Sequence, residues 1–286
     1  MNRTPARVFF GIVGALLLFP RAEAYISGSV SAGPGKSDVE LTASFERGRL
    51  GAQNIPESQI TQNSSITTYD LKVGHNFGAW GGLEDVTLRL SGRYFGSAPE
   101  AMGATPTYGE DSGGVFGLET SANFLHEPER VVGAFARFSL PSGMNRAKFA
   151  NPKVDTFALG LQGGFEISST FGFETLWYYG TGLLDSGIRM QNASLVGSSL
   201  LSARWPSAWP QGLTLKFGPF FESELTERND TVYGTTGIRG FRVGLTAIGS
   251  VAFTSALGMD LGYVQKLSGA YFRATKDVFV SLKATW

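Results

Sequence analysis

The last ten residues, "DVFVSLKATW" (Asp277–Trp286), are the most informative stretch of this sequence. Apolar residues occupy every second position of it, at Val278, Val280, Leu282, Ala284 and Trp286. Successive side chains of a β-strand point to opposite faces, so the pattern predicts a strand with one apolar face and one mostly polar face. Chain ends usually fray. A strand that ends on a large aromatic residue therefore predicts an apolar surface beside it, either a protein core or lipid.

The other end of the chain favours lipid. Residues 1–24, "MNRTPARVFFGIVGALLLFPRAEA", open with Arg3 and Arg7, followed by a twelve-residue apolar run over 8–19 and an A-x-A site at 22–24. These are the parts of a secretory signal peptide, with cleavage predicted after Ala24. The apolar run is shorter than the roughly 20 residues that a membrane-spanning helix needs. We therefore expect an exported protein whose mature chain begins at Tyr25.

The composition excludes several classes of protein. The formal net charge is zero, which favours no nucleic-acid partner, and the absence of cysteine excludes disulfides and thiolate sites for metal or catalysis. No cofactor is expected. Only 17% of the residues are charged, whereas there are 38 glycines and 22 phenylalanines. No apolar stretch of helical spanning length follows the leader. Membrane-spanning strands explain this composition, because each needs only about 10 residues and half of them can be polar.

Alternation of apolar and polar residues recurs in twelve segments, and the connections between them alternate in length. The long connections are predicted at 47–63, 96–112, 141–152, 182–193, 225–236 and 265–276. The short ones are "GAWGGLE" (78–84), "HEPER" (126–130), "SS" (168–169), "PSAWPQ" (206–211) and "GS" (249–250). Outer-membrane barrels combine an even strand number with short periplasmic turns and long extracellular loops. A soluble β-sandwich shares the alternation but does not need this rhythm of loop lengths.

The closing stretch resembles the C-terminal assembly signal of bacterial outer-membrane β-barrel proteins, and no individual family is recognised. The resemblance and the strand pattern together predict an all-β fold, a transmembrane antiparallel barrel of twelve strands over 38–286 with both termini periplasmic. Residues 25–37 are predicted to form an N-terminal segment in the periplasm or the barrel lumen. Trp286 is expected at the periplasmic lipid boundary, with the last strand paired to the first so that the sheet has no edge.

Catalysis is not favoured by the sequence. A histidine-dependent hydrolase would need a serine and an orienting group beside its histidine. Of the two histidines, His75 is predicted to face lipid near a periplasmic turn, and His126 is predicted to lie in one. Outer-membrane lipid enzymes built on barrels carry a serine two residues after the histidine, where this chain has Phe77 and Pro128. Two distant histidines also predict no transition-metal site.

The barrel lumen is the remaining candidate site. Strand parity places seven charged residues inward, in a predicted belt near mid-height: Lys72, Arg89, Glu119, Arg137, Glu174, Lys216 and Arg242. Inward side chains of a small barrel can pair with one another and fill it, and Arg89, Glu119 and Arg137 on successive strands are candidates for such pairing. Small residues on the same face favour open space instead: Ala158, Gly160, Gly164, Ala252, Ala256, Gly258 and Gly262.

These patterns predict an outer-membrane channel for small hydrophilic solutes, with weak anion preference because basic residues predominate in the belt. The alternative is a closed barrel that acts structurally or through its extracellular loops, with a lipid-modifying enzyme as a remote third hypothesis. The expected partners are outer-membrane lipid and lipopolysaccharide, and the barrel-assembly machinery acting on the C-terminal strand. A monomer is weakly favoured by analogy.

Overall fold

The computed structural model describes residues 32–49, 62–101, 111–127, 129–142, 155–185, 189–205, 212–225, 228–230, 235–238, 240–270 and 275–286. The predicted leader and most of the predicted N-terminal segment lie outside the described residues. Residues 32–36 form a short turn that leads into the first strand.

Fourteen strands make up the described chain. In chain order they are β1 Ser37–Arg49, β2 Gln62–Asn76, β3 Glu84–Ala101, β4 Asp111–Glu127, β5 Arg130–Ser142, β6 Asp155–Glu166, β7 Phe171–Asp185, β8 Arg189–Trp205, β9 Leu213–Glu224, β10 Arg228–Asp230, β11 Thr235–Ile238, β12 Phe241–Ala252, β13 Leu257–Ala270 and β14 Thr275–Thr285.

Twelve of these strands form one closed antiparallel barrel, which confirms the predicted all-β architecture and strand number. Each strand pairs with its neighbours along the chain, and β14 pairs with β1 to close the sheet. β10 and β11 form a separate two-stranded sheet within the predicted long connection between β9 and β12. The beginning of β1, the end of β14 and the described turns at 77–83, 167–170 and 253–256 lie at one end of the barrel, which we call the terminal end.

The strands run further into the long connections than the sequence predicted. β3 continues to Ala101 and β8 begins at Arg189, both within segments expected to be loops. The predicted turn at Gly249 and Ser250 is wrong: both residues lie inside β12, and the chain reverses at 253–256. Glycine and serine favour a turn only where their backbone is not paired in a sheet. Here Gly249 and Ser250 are paired with β9 on one side and with β13 on the other.

The two faces of the barrel differ as the alternation predicted. In β9 and β12 buried residues alternate with more exposed ones along the strand. The outward positions form an apolar surface around the barrel that includes Leu71, Leu90, Phe116, Leu118, Phe138, Leu159, Leu161, Phe171, Leu201, Phe217, Leu261, Val278 and Leu282. Such an extended apolar surface marks a contact with lipid or with another protein.

No helix in the described part of the chain is long and apolar enough to cross a membrane.

Backbone hydrogen bonds join the two ends of the barrel sheet. The register runs from Asp38 opposite Thr285 to Gly48 opposite Thr275. Beyond it, the Ser37 N–H donates to the Trp286 carbonyl (2.9 Å), and the Trp286 N–H donates to the Ser37 carbonyl (3.0 Å). The final tryptophan is therefore the last residue of the β1–β14 seam, while 63% of its surface stays exposed at the terminal end.

We expect replacement of Trp286 by Asp to impair assembly, because a carboxylate would replace the apolar ring at the closing seam. The folded barrel recovered from outer-membrane fractions, detected by its heat-modifiable gel mobility, should fall severalfold. Trp80→Asp is the matched control, since Trp80 is a still more exposed tryptophan (76%) in the 77–83 turn at the same end. An equal loss of folded barrel in both variants would contradict a specific role for the terminal residue.

Candidate functional site: the barrel interior

The seven residues predicted for the lumen belt all take part in ion pairs. Each of the five basic residues has a carboxylate oxygen within 3.8 Å: Lys72 with Glu40, Arg89 with Asp38, Arg137 with Glu119, Lys216 with Glu174 and Arg242 with Glu222. The predicted belt contains more basic than acidic residues, but the positive charge of each basic side chain is balanced by a carboxylate beside it. A charge taken out of bulk water needs such a partner, because desolvation is costly.

One group of these residues lies on β3, β4 and β5. Arg137 Nε donates a hydrogen bond to Glu119 at 2.9 Å, and Arg137 Nη2 forms an ion pair with the same carboxylate oxygen at 2.8 Å. Arg89 lies 3.8 Å from the same carboxylate, through its other oxygen, and 3.3 Å from Asp38 on β1. The pairing of Arg89, Glu119 and Arg137 that the sequence suggested is present, and Asp38 extends it to the first strand.

A second group lies beside the β1–β14 seam. Glu40 contacts Lys72 (3.8 Å) and Lys283 (3.7 Å), and Lys283 also pairs with Asp260 at 2.8 Å. The hydroxyl of Ser281 donates to Glu40 at 2.8 Å. Charged residues of β1, β2, β13 and β14 are thus connected around a single carboxylate, so the closing strands are joined by side chains as well as by backbone.

The remaining pairs are more deeply buried. Lys216 on β9 reaches Glu174 on β7 at 2.9 Å, and the two side chains are only 1% and 3% exposed. Arg242 pairs with Glu222 at 2.5 Å. Arg242 is the second residue of β12, far from the turn at 253–256. The seven residues therefore do not share one height in the barrel. Arg242 lies near the end of the barrel opposite the terminal end, which we call the loop end, whereas Glu174 lies near the terminal end of β7.

Apolar side chains cover the facing part of the interior. One buried cluster from β5 to β9 contains Phe135, Ala158, Leu176, Tyr178, Val196 and Phe220. A second, from β8 to β14, contains Leu200, Ile248, Val264 and Phe279. The interior thus has an ionic side on β1–β5, where the ion pairs of the predicted belt keep partial exposure, and an apolar side centred on β5–β9, where the belt pair with both members on these strands, Lys216–Glu174, is deeply buried.

At two of the small residues of the wall, Gly160 and Gly262, aromatic rings fill the space that the sequence suggested would be open. A Cβ at Gly160 would lie 2.4 Å from the ring of Phe135, and one at Gly262 would lie 1.9 Å from the ring of Phe279. Each ring lies against a glycine on a neighbouring strand and fills the volume that the missing side chain would occupy. Ala256, also expected in the wall, lies in the turn at 253–256.

The two histidines contact neighbouring side chains at the terminal end of the barrel. His75 is on the outer face of β2, where its Nδ1 is 3.0 Å from the Ser37 hydroxyl and its ring meets Phe77 edge to face. His126 is near the end of β4, 2.5 Å from Asp85 and 3.6 Å from Glu84. Among the described residues no group of three or more His, Asp or Glu side chains is arranged to hold a metal ion.

Sequence reasoning missed several members of the interior network, namely Asp38, Glu40, Lys266, Asp277 and Lys283. Lys266 pairs with Asp277 at 2.6 Å, both nearly fully buried. Parity along "DVFVSLKATW" already placed Asp277 and Lys283 on the polar face. What the sequence lacked was the register of β13, β14 and β1, which decides which charges meet.

No protein-family model matches the sequence, and no curated protein matches it significantly. Solved structures are similar in fold. An outer membrane channel from Pseudomonas putida F1 superposes with a TM-score of 0.68 at 13% identity, over 92% of this chain and 100% of that one. The chain has the fold of outer-membrane β-barrels.

Two autotransporter domains share this fold at greater distance. The β domain of the Bordetella autotransporter BrkA gives a TM-score of 0.54 at 13% identity, over 87% of this chain and 99% of that one. The transport unit of AIDA-I from Escherichia coli gives 0.53 at 12% identity, over 97% and 96%. At these identities the similarity concerns architecture, so function has to be argued from the interior.

The buried Lys216–Glu174 pair generates a stability prediction. Lys216→Met leaves the buried carboxylate of Glu174 without this cation, which should lower the free energy of unfolding by about 3 kcal/mol. Urea unfolding of barrels folded into lipid vesicles, followed by tryptophan fluorescence, measures the change. The double variant K216M/E174L should recover much of the loss, because it removes both charges.

Arg204→Gln is the matched control for this prediction. Arg204 pairs with Glu166 at the terminal end, where the two side chains are 31% and 41% exposed. An exposed pair contributes less than about 1 kcal/mol. Equal destabilisation by K216M and R204Q would show that burial of the Lys216 pair is not what makes it important.

Proposed function

We propose that this protein is a bacterial outer-membrane channel that admits small hydrophilic solutes through a narrow path along the ionic side of its interior. The proposal includes export by the N-terminal leader, cleavage after Ala24, and an orientation with the terminal end in the periplasm. The expected surroundings are outer-membrane lipid and lipopolysaccharide, and the expected assembly route is the barrel-assembly machinery acting through the C-terminal strand. We propose a monomer.

The partial exposure of several charged side chains in the interior is the observation that supports a path for solutes through the barrel. The side chain of Arg89 is 33% exposed, that of Glu119 21% and that of Glu40 19%, whereas Lys216, Glu174 and Glu222 are almost completely buried. Accessible surface is therefore concentrated on the part of the interior formed by β1–β4. Ionised groups that water reaches favour hydrophilic solutes over apolar ones.

Weak anion selectivity follows from the same difference in exposure. Among the basic residues of the predicted belt, Arg89 has by far the most exposed side chain, and the others are 14% exposed or less. A partly exposed cation in a narrow, low-dielectric channel attracts anions. Because every basic residue of the belt has a carboxylate partner, the preference should be small.

We therefore expect the double replacement Arg89→Gln and Arg137→Gln to abolish the anion preference. Reversal potentials across a salt gradient in planar bilayers measure it. Lys216→Gln is the comparison variant: it removes a single, fully buried cation of the belt, so its effect on the reversal potential should be smaller than that of either arginine replacement made alone. Clear cation selectivity of the unmodified protein, or a reversal potential insensitive to the double replacement, would contradict the proposal.

A closed barrel is the second candidate function, and the two apolar clusters favour it. Rings packed against Gly160 and Gly262 leave no free volume at those positions, so the protein would then act structurally or through its loops. Single-channel conductance separates the two candidates. Discrete conductance steps support the channel, and their absence from a correctly folded barrel supports the closed form.

A further inference from the structure

Arg89 belongs to a row of residues that are direct neighbours across five strands. Asp38 on β1 lies opposite Gly74 on β2, Gly74 opposite Arg89 on β3, Arg89 opposite Glu119 on β4, and Glu119 opposite Arg137 on β5. Charges of alternating sign therefore follow one another around the inner wall, with a single glycine among them. Opposite charges on adjacent strands stabilise a sheet.

The glycine is what allows the first ion pair to form. Asp38 and Arg89 are on strands that are not adjacent, and their contact at 3.3 Å crosses over β2 at Gly74. A Cβ at this position would lie 2.2 Å from Asp38 Oδ1 and 2.8 Å from Arg89 Cγ. Any larger residue would force the two side chains apart or displace them from the wall.

Asp38 is also the carboxylate nearest to Arg89. Glu119 lies farther from it, at 3.8 Å, and is paired with Arg137 through one hydrogen bond of 2.9 Å and an ion-pair contact of 2.8 Å. The Asp38 contact is made by Arg89 Nη2. Arg89 has the most exposed side chain among the basic residues of the belt. Its guanidinium is held towards the wall formed by β1 and β2 chiefly by Asp38, a residue that the sequence analysis did not single out.

We propose that Asp38 is the positioning residue that sets the charge selectivity of the channel, by holding the Arg89 guanidinium against the wall across Gly74. This inference deepens the proposed channel function and rests on it. With the contact in place, Asp38 offsets most of the attraction of Arg89 for anions. Without it, the guanidinium extends towards the path and anions are favoured.

Two variants release Arg89 by different means. Asp38→Asn removes the charge of the partner, whereas Gly74→Ala keeps all charges and breaks the contact by steric conflict. In both, the anion-to-cation permeability ratio from reversal potentials should rise roughly threefold, as expected when a unit charge moves within a few ångströms of a passing ion. A smaller single-channel conductance should accompany the rise in Gly74→Ala, because the released side chain narrows the path.

Each variant has a matched control. Glu166→Gln removes one carboxylate charge at the terminal end of β6, where Glu166 pairs with Arg204 away from Arg89. Gly92→Ala adds the same methyl group on β3, at a position where a Cβ meets nothing within 4 Å. Glu166→Gln should shift the permeability ratio less than Asp38→Asn does, and Gly92→Ala should shift it less than Gly74→Ala does. Heat-modifiable gel mobility confirms that each variant is folded.

The result that overturns the proposal is a permeability ratio that Asp38→Asn shifts no more than Glu166→Gln, or that Gly74→Ala shifts no more than Gly92→Ala. If Gly74→Ala fails to fold, the comparison of Asp38→Asn with Glu166→Gln decides alone.

A second measurement separates this inference from the channel proposal. Phenylglyoxal modifies accessible guanidinium groups, and mass spectrometry reports the labelling of Arg89 without any need for conductance. Labelling of Arg89 should rise severalfold in Asp38→Asn and Gly74→Ala and stay constant in both controls. Raised labelling in a barrel that does not conduct would contradict the channel but support the Asp38 contact, whereas unchanged labelling would contradict the contact.

Discussion

The closing of the sheet between β1 and β14 is the constraint on which the rest of this structure depends. A strand in lipid has no water to satisfy its backbone N–H and C=O groups, so a sheet that crosses a membrane must have no free edge. The continuous register from Asp38 opposite Thr285 to Gly48 opposite Thr275, with two further hydrogen bonds between Ser37 and Trp286, meets that requirement. The apolar outer face can then be turned to lipid.

A closed barrel with an apolar exterior confines its ionised residues to the interior, and this explains why they form pairs. The cost of removing a charge from bulk water falls when an opposite charge is within contact distance. A small residue on the intervening strand makes one of these contacts possible. Gly74 allows Asp38 on β1 to reach Arg89 on β3 across β2.

The division of the interior into two sides has consequences for transport. Aromatic and aliphatic side chains of β5–β9 pack into a dense cluster, whereas the charges of β1–β4 keep partial exposure. A path for hydrophilic solutes would therefore run along one part of the wall rather than through the centre of a symmetric pore. On the channel proposal, selectivity would then be governed by a few side chains, and the geometry that positions Arg89 would matter more than the total charge of the lumen.

The alternation of apolar and polar residues, together with the alternating lengths of the connections, predicted the strand type, the twelve barrel strands and the inward face of the seven belt residues, because the period of a strand is fixed at two residues. It did not determine which charges meet. Asp38 and Arg89 are 51 residues apart, and only the register of three strands brings them together. The turn at 253–256, the rings that fill the spaces at Gly160 and Gly262, and the loop-end position of Arg242 likewise depend on the tertiary structure. Pairing register and side-chain packing arise between segments that are distant in sequence, so a local pattern carries no record of them.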